Sequence, residues 1–259
     1  MAEQTVILQL SDTHVGADWA GDSTRALAVT VASARRLLGR PDAVLISGDL
    51  AENGDDGEYE LLQQLVAPLE APVYVLPGNH DDRERLRRCF DLGGPAGKPI
   101  VYGVDVGPLR LAIVDSKRAG SDAGELDRRC LSRLDAELAV APDSPTIVAL
   151  HHPPVSTGNR GWDAIGLPAA DRRRLGDLLR RHPQVLLIVG GHLHQSIAAH
   201  LDGRPVLVAP STYVQARAAV GSDRISFTDE PPGFAVHVFA DGAVTSYRQA
   251  VDDPETARV

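Results

Sequence analysis

Short apolar runs alternate with amphipathic segments through most of the chain. The apolar runs have the length of buried strands, and we predict strands at Val6–Leu10, Ala43–Ile46, Val73–Leu76, Val101–Val104, Leu109–Val114, Thr146–Leu150 and Val185–Val189. Between most of them apolar residues recur at helical spacing, which predicts helices at Ser23–Leu38, Glu58–Leu69, Arg83–Phe90, Asp127–Ala139 and Ala169–Arg181. We expect Ser23 to cap the first helix.

Helical spacing disappears after Ser196, and the last part of the chain is strand-like. We predict strands at Ile197–His200, Pro205–Val208, Phe234–Phe239 and Ala243–Tyr247, with turns at Asp202-Gly203 and Asp241-Gly242. Alternation of strands and helices indicates parallel strands with helices on both sheet faces, and the final hairpins add antiparallel strands. We therefore predict an α/β fold in which two mixed sheets pack together between helices. It forms a single domain over residues 1–250, with a polar tail over 251–259.

The charge balance restricts the partners of the protein. The 259 residues include 26 basic and 35 acidic ones, a net charge of −9, which disfavours non-specific binding to nucleic-acid polymers or anionic lipid. No apolar run approaches the roughly 18 residues of a membrane span, and the N-terminus lacks the features of a signal peptide. Because only Cys89 and Cys130 occur, we expect buried free thiols and a cytoplasmic location.

Polar residues follow directly after the predicted strands. Those that can bind a metal are Asp12, His14, Asp49, Asn79, His151, His192 and His194. Ligand sites in open α/β sheets form at the carboxyl ends of strands, so these side chains are expected to converge. Carboxylate and imidazole groups suit transition metals such as Mn, Fe, Co and Zn, and the absence of cysteine argues against a structural zinc site. Seven candidates are too many for one tetrahedral ion, so we predict two ions that share a carboxylate.

A pair of ions about 3.5–4 Å apart is a known device for hydrolysing phosphate esters. The ions would also supply the positive charge with which an acidic protein binds an anionic substrate. Taken alone, an Asp-x-His or Gly-Asp-Leu sequence is usually a turn or a helix cap, and only the combination favours a metal centre. The chain has no Gly-x4-Gly-Lys-[Ser/Thr], Gly-x-Ser-x-Gly or His-Glu-x-x-His motif, which argues against the corresponding NTPases, serine hydrolases and zinc proteases.

The motifs Asp12-x-His14, Gly48-Asp49, Gly78-Asn79-His80-Asp81, His151-His152-Pro153 and Gly191-His192-x-His194 resemble those of the calcineurin-like metallophosphoesterases. The resemblance covers about residues 5–250 and implies a four-layer α/β/β/α sandwich. It implies that the first metal is held by Asp12, His14, Asp49 and His194. It implies that the second is held by Asp49, Asn79, His151 and His192. Asp49 would bridge the ions, and His80 would be the catalytic histidine beside them.

Within that superfamily the chain is most similar to the bacterial class III cyclic-nucleotide phosphodiesterases. The similarity lies in Ser11–Val15, Gly78–Arg83, Leu150–Pro154 and Gly191–Ser196. It implies hydrolysis of a small phosphodiester, cAMP to AMP, by in-line attack of a metal-bridging hydroxide, with two ions drawn from Fe, Mn, Zn or Co. A glycerophosphodiesterase or a broad-specificity phosphodiesterase or phosphatase remains an alternative. A non-catalytic scaffold is a remote one, and a homodimer is a possible assembly.

Several neighbours of the motifs have two possible roles. His151 and His152 compete for one ligand position, and we expect His151 to take it and His152 to orient a neighbouring residue. Asp81 either orients His80 or caps an exposed helix. The loop carrying Arg160 and Trp162 either overhangs the site, contacting phosphate and stacking on a base, or is ordinary surface. Tyr213 lines the pocket or packs in the interior. We expect Asp115 and Ser116 to make structural hydrogen bonds. We expect His182, His200 and His237 to be structural or surface residues. The run Arg172–Arg174 is expected to form a solvated helix face.

Overall fold

Two mixed β-sheets form the centre of the molecule, and helices lie against their outer faces. The computed structural model describes residues 4–251. The first sheet has the order β13-β12-β1-β2-β3 and the second the order β4-β5-β6-β7-β9-β8. The strands are β1 Thr5–Leu10, β2 Ala43–Ile46, β3 Val73–Val75, β4 Val101–Val106, β5 Leu109–Val114, β6 Thr146–Ala149, β7 Val185–Gly190, β8 Ile197–Leu201, β9 Arg204–Val208, β10 Gln215–Ala216, β11 Phe227–Thr228, β12 Gly233–Ala240 and β13 Ala243–Ala250.

The helices are α1 Ser23–Leu38, α2 Asp56–Val66, α3 Arg83–Cys89, α4 Arg128–Val140, α5 Arg160–Ile165 and α6 Ala169–Leu179, with a 3₁₀ turn at Ala67–Leu69. The helices α1, α2 and α3 cover the first sheet, whereas α4 and α6 cover the second. Within residues 4–251, no helix combines the length and apolar character required to cross a bilayer.

Alternate residues of each central strand pack into different cores. On β2, Val44 and Ile46 pack under the helices of the first sheet, while Leu45 faces the core between the two sheets. On β5, Val114 packs under the second layer of helices, and Ile113 faces the central core. Successive strand residues point to opposite faces, so a continuous apolar run is what a strand buried on both faces requires. The predicted α/β/β/α sandwich is confirmed.

The first and second helices begin differently from the prediction. Asp22 caps α1 by accepting a hydrogen bond from the amide of Arg25, and Ser23 is the first helical residue. The second helix starts at Asp56 instead of Glu58, because Asp55 and Glu58 form a capping box. Ser23 was therefore misplaced by one residue as the cap.

Three short elements were not predicted as helix or strand. The segment Arg160–Ile165 is a helix, capped by the Asn159 side chain. The strands β10 and β11 contain two residues each and pair with one another, too few for an alternating pattern to be visible. Val251, assigned to the tail, is buried, and its amide donates to the carbonyl of Pro232. The rest of the predicted tail, 252–259, lies outside the described residues.

Residues set apart from the motifs have mostly structural environments. His237 is buried and His182 bonds to Asp135, whereas His200 is exposed. Cys130 is buried, but Cys89 is only partly so, which corrects the prediction of two buried thiols. Within the arginine run, Arg173 and Arg174 are exposed, while half-buried Arg172 donates to the carbonyls of Val155 and Leu167.

Candidate metal centre

The loops that follow the parallel strands of both sheets meet at one edge of the sandwich. The amide of His14 donates to the carbonyl of Asp49 (2.9 Å), and the amide of Gly191 donates to the carbonyl of His151 (3.0 Å). Asp12 links the two sheets, because its Oδ1 accepts from the amide of His192 at 2.9 Å. The fold thus brings together the residues that the strand-end pattern predicted to converge.

The candidate ligands have an uncommon backbone conformation. Positive φ angles, from 44° to 69°, occur at Asp12, His14, Asp49, His192 and His194. This left-handed region costs a residue with a side chain roughly 1–2 kcal/mol. It turns the chain out of the strand, so that residues two apart, such as His192 and His194, contribute to one site. Strain of this kind concentrates at functional sites.

Glycines allow the loops to approach one another closely. A Cβ at Gly48 would lie 2.2 Å from His151 Nδ1, and one at Gly78 would lie 2.1 Å from Asp49 Oδ1. Gly48 also has a φ of +96°. No larger residue fits at either position without displacing a candidate ligand.

Asp49 lies between two groups of potential ligand atoms. Its Oδ2 is 3.7 Å from His14 Nε2 and 3.3 Å from His151 Nε2. On one side, His14 Nε2 is 3.2 Å from His194 Nε2, which is 3.7 Å from Asp12 Oδ1. Ligand atoms each about 2.0–2.2 Å from one ion are separated by roughly 3.0–3.5 Å. These distances are those expected around a metal ion, and Asp49 Oδ2 is near the ligand atoms of both groups.

Two buried atoms on the other side of Asp49 have no hydrogen-bond partner. They are Asn79 Oδ1 and His151 Nε2. A buried acceptor left unpaired costs about 1–3 kcal/mol, so two of them in one site indicate a partner that the protein itself does not provide. The donor set of carboxylate, amide and imidazole groups is that of a transition-metal site. The residues present therefore fit the metal centre.

Hydrogen bonds fix the orientation of the histidine rings. The Nδ1–H groups of His14, His151 and His194 donate at 2.8 Å to the Glu52 carboxylate, the Ser47 carbonyl and the Val214 carbonyl. Each Nε2 is thereby left as an acceptor, which is the state that binds a metal. His192 is oriented the other way: its Nε2 donates to the carbonyl of Ile165, leaving Nδ1 as its ligand atom.

The pKa values of these groups are governed by burial and by Asp49. Burial lowers the pKa of His194. Burial, together with the neighbouring His152 and His151, lowers the pKa of His192 well below its ordinary value. Burial also acts to lower the pKa of His151, but the charge of Asp49 outweighs it and raises that pKa to about 9. A metal ion binds the unprotonated nitrogen, so an ion at this site would compete with a proton for His151 Nε2.

His152 lies close enough to His151 and His192 to share a metal ion with them, but both of its ring nitrogens are hydrogen-bonded within the protein. His152 Nε2 donates to the carbonyl of Asp122, and its Nδ1 accepts from Ser116 Oγ, while its ring packs 4.4 Å from that of His192. Asp81 neither contacts His80 nor caps a helix, so both predicted roles are wrong. The cap of α3 is Asp82.

Asp81 is instead a buried acceptor that joins two ligand loops. Its carboxylate accepts from the amides of Leu50 and Gly78 and from the hydroxyl of Tyr59. It is 1% exposed. It therefore fixes the loop carrying Asn79 against the loop carrying Asp49.

His80 lies at the opening of the cluster and is about one-third exposed. Its amide donates to Asp49 Oδ1 at 2.9 Å, and its Nδ1–H donates to the carbonyl of Glu52 at 2.9 Å. The Glu52 carboxylate is 3.7 Å from the same nitrogen. This arrangement leaves Nε2 as the ring nitrogen available to a bound molecule.

The other residues singled out in the sequence are distributed as follows. Arg160 is exposed and paired with Asp223, so it does not reach the site. Trp162 is buried and stacks against His194 with ring centroids 6.3 Å apart. Tyr213 packs beneath the cluster, its hydroxyl bonded to the backbone of Ala20 and Gly21. Asp115 accepts from Arg83, a structural role as expected.

A cleft of about 190 Å³ opens onto the cluster, and its walls include residues that the sequence analysis missed. They are Trp19, Asp122, Ile165, Ile225 and Phe227. Glu52, which orients His14, was also missed, as was Lys117, whose Nζ donates to the carbonyl of Asn79. Glu52 follows Asp49 by three residues on the same loop, and this proximity was a usable signal. Phe227 lies in a segment without any recognisable pattern.

Comparison with known proteins agrees with this geometry. A family model described as calcineurin-like phosphoesterase matches residues 5–196. The probable glycerophosphodiester phosphodiesterase GpdQ of Arcobacter nitrofigilis is 31% identical over 91% of this chain and 89% of its own length. The 3′,5′-cyclic adenosine monophosphate phosphodiesterase CpdA of Pseudomonas aeruginosa is 33% identical over 96% and 90%.

Among solved structures, the purple acid phosphatase PPD1 of yellow lupin superposes with a TM-score of 0.67. The match covers 98% of this chain and 52% of that one at 16% identity, and it indicates a shared fold alone. The family model spans all the loops that form the cluster, and both sequence relatives are over 30% identical across more than nine tenths of the chain. The chain therefore belongs to the calcineurin-like phosphoesterase family, as its motifs predicted, and is a metal-dependent phosphoesterase.

Proposed function

We propose that this protein is a dinuclear-metal phosphodiesterase that acts on small phosphodiesters, foremost 3′,5′-cyclic nucleotides, and converts cAMP to AMP. The observation that carries the proposal is the position of Asp49 between two groups of ligand atoms. One of those groups contains the unpartnered buried atoms Asn79 Oδ1 and His151 Nε2.

We assign the first metal to Asp12, His14, Asp49 and His194. We assign the second to Asp49, Asn79, His151 and His192. When bound, two such ions hold phosphate oxygens, acidify a water and offset the charge that develops during in-line displacement. The ligand types are compatible with Fe, Mn, Zn or Co.

His80 is proposed as the acid that protonates the leaving oxygen. Its Nδ1–H is committed to the carbonyl of Glu52, so a second proton on the ring resides on Nε2. When a water oxygen forms the new bond to phosphorus and loses its proton to solvent, the P–O3′ bond of a cyclic nucleotide breaks. The electron pair of that bond moves to O3′, and His80 Nε2 supplies its proton. The product is the 5′-monophosphate.

Asp49 is proposed to link the metal centre to this acid. One carboxylate oxygen faces the two groups of ligand atoms, while the other accepts the backbone N–H of His80. If ions are bound by the first oxygen, the carboxylate would hold His80 beside them, which is the kind of positioning on which rate depends.

Support for a phosphodiester substrate comes from the two relatives, since one is named for cAMP and the other for glycerophosphodiesters. A glycerophosphodiesterase is therefore the second candidate. A non-catalytic scaffold is disfavoured because every expected ligand residue and His80 are present in the chain. The cytoplasmic location and the homodimer stay predictions.

Metal analysis and a substrate panel test the proposal. The purified protein is expected to hold two transition-metal ions per chain and to hydrolyse cAMP. The panel contains cAMP, 2′,3′-cAMP, glycerophosphoglycerol and a phosphomonoester. Preference for glycerophosphoglycerol would establish the second candidate, and absence of turnover by protein with both ions bound would contradict the proposal.

A further inference from the structure

Two aromatic residues are exposed together at the mouth of the candidate metal centre. Trp19 is 48% exposed and Phe227 is 38% exposed, and their ring centroids lie 5.1 Å apart with the planes inclined by 51°. Both border the cleft that opens onto the cluster. Adjacent exposed rings in a cleft mark a binding surface more often than isolated surface residues do.

The loop that carries Trp19 is fixed by Tyr213. The Tyr213 hydroxyl donates to the carbonyl of Gly21 at 2.9 Å and accepts the amide of Ala20 at 2.6 Å. The Trp19 ring packs edge-to-face on the Tyr213 ring at 5.0 Å. The indole therefore loses little conformational freedom when a molecule binds to it.

Phe227 is held by a different segment of the chain. It lies on β11, opposite Ala216 of β10, and the amide of Ala216 donates to the carbonyl of His194 at 2.8 Å. The two rings stand directly beside candidate ligands. The centroid of Phe227 is 5.8 Å from that of His194, and the centroid of Trp19 is 6.4 Å from that of His14.

We propose that Trp19 and Phe227 form the base-binding surface of the substrate site, on which the nucleobase of a nucleotide stacks while its phosphate lies at the metal centre. This inference rests on the proposed function and specifies which part of the substrate is recognised. Stacking on aromatic rings accepts any base, because every base has a π-face. In a nucleotide only the ribose separates the base from the phosphate. The short separation between the two rings and the candidate ligands of the first metal suits this spacing.

A quaternary ammonium group, as in glycerophosphocholine, is the other chemistry that aromatic rings bind. Such groups are enclosed by cages of several ring faces. Here Tyr213 and Trp162 are each 6% exposed, and the Tyr213 hydroxyl is engaged by the backbone. Within residues 4–251, the indole and phenyl rings that the cleft offers to a ligand are therefore those of Trp19 and Phe227. An open pair of rings suits a flat base better than a spherical cation.

The test compares ligands with and without a base on metal-loaded protein. Wild type is expected to bind AMP at least about tenfold more tightly than ribose 5-phosphate. Trp19→Leu and Phe227→Leu should each weaken AMP binding about tenfold, equivalent to about 1.4 kcal/mol, and leave ribose 5-phosphate within about twofold. AMP should also quench tryptophan fluorescence in wild type but not in Trp19→Leu, in which Trp162 still emits.

Turnover provides a second comparison. Each leucine variant should raise the KM for cAMP about tenfold and leave kcat/KM for glycerophosphoglycerol within about twofold. Trp19→Phe should retain most of the affinity for AMP because a flat ring remains. Tyr247→Leu is the matched control, since Tyr247 is an exposed aromatic residue on β13 outside the cleft, and it should behave as wild type.

Several outcomes would overturn the assignment. The first is equal affinity of wild type for AMP and ribose 5-phosphate, and the second is an equal loss of affinity for both ligands in the leucine variants. The third is an increase in KM of the leucine variants for glycerophosphocholine, assayed beside cAMP, with no increase for cAMP. The fourth is loss of metal in either variant. Failure of the proposed function would look different. In that case the protein hydrolyses no phosphodiester, while AMP still binds through its base and Trp19→Leu abolishes that preference.

Discussion

Replacement of His80 by alanine separates catalysis from metal binding. The substitution removes the imidazole but retains the backbone N–H that donates to Asp49 Oδ1 at 2.9 Å. None of the distances that connect Asp49 with His14 or His151 involves the His80 ring. The variant is therefore expected to bind two metal ions with wild-type affinity.

The expected loss of activity follows from the role of an acid. An alkoxide is a poor leaving group at neutral pH, and a positioned acid contributes about 10²–10⁴-fold to the rate. For cAMP, His80→Ala should therefore reduce kcat by that factor, which corresponds to about 3–5 kcal/mol of transition-state stabilisation. A nitrophenolate leaves without protonation, so the loss on bis(4-nitrophenyl) phosphate should be much smaller.

The assay measures metal content by elemental analysis and kcat for both substrates on the same preparations. His200→Ala is the matched control, because His200 is an exposed histidine on β8 that does not line the cleft at the cluster. Loss of metal from His80→Ala would refute the reasoning, and so would an unchanged kcat on cAMP. Equal losses on the two substrates would indicate that His80 positions the phosphate instead of protonating the leaving group.

Four further predictions address the ligands, the substrate and the stability of the protein. Asp49→Ala should remove both ions, and elemental analysis that finds two ions in this variant would exclude a bridging role. Asn79→Ala should weaken the second metal site more than the first because an amide oxygen is a weak donor; activity should return at higher metal concentration, and full activity in metal-depleted buffer would contradict the assignment. Diesters should be turned over faster than monoesters of the same alcohol in side-by-side assays, and the reverse order would indicate a phosphatase. Burial lowers the pKa of His237 to about 4, so as the pH falls from about 6.5 to 4 the unfolded chain takes up this proton before the folded protein does. The free energy of unfolding should therefore fall by up to about 3 kcal/mol over that range. Denaturant unfolding of His237→Gln should lack this loss of stability, and identical pH dependence for the two proteins would exclude the contribution of His237.

The sequence was sufficient for the layers and the ligand loops. The continuous apolar runs at β2 and β5 are visible because both faces of each strand are buried. The ligand residues are visible because a parallel sheet brings the ends of its strands to one edge. These features depend on short-range patterns, which the chain itself displays.

Features that depend on contacts between distant segments were not predictable in this way. Trp19 and Phe227 meet across 208 positions of the chain, and neither belongs to a motif. The role of Asp81 depends on amides and a hydroxyl supplied by Leu50, Gly78 and Tyr59. The motif identified Asp81 as a polar residue beside His80, but only the fold determines which groups it faces.

The backbone conformation of the ligand loops links stability to function. Five candidate ligands occupy the left-handed region, at roughly 1–2 kcal/mol each, and two buried acceptors among the candidate ligands have no partner. Hydrogen bonds between the loops, including those accepted by buried Asp81, hold this strained arrangement in the protein alone. Metal ions would add the missing partners and so stabilise the folded state in proportion to their affinity. The same geometry that is costly without metal is what makes the site prearranged for it, because the ligands need not reorganise when the ions bind.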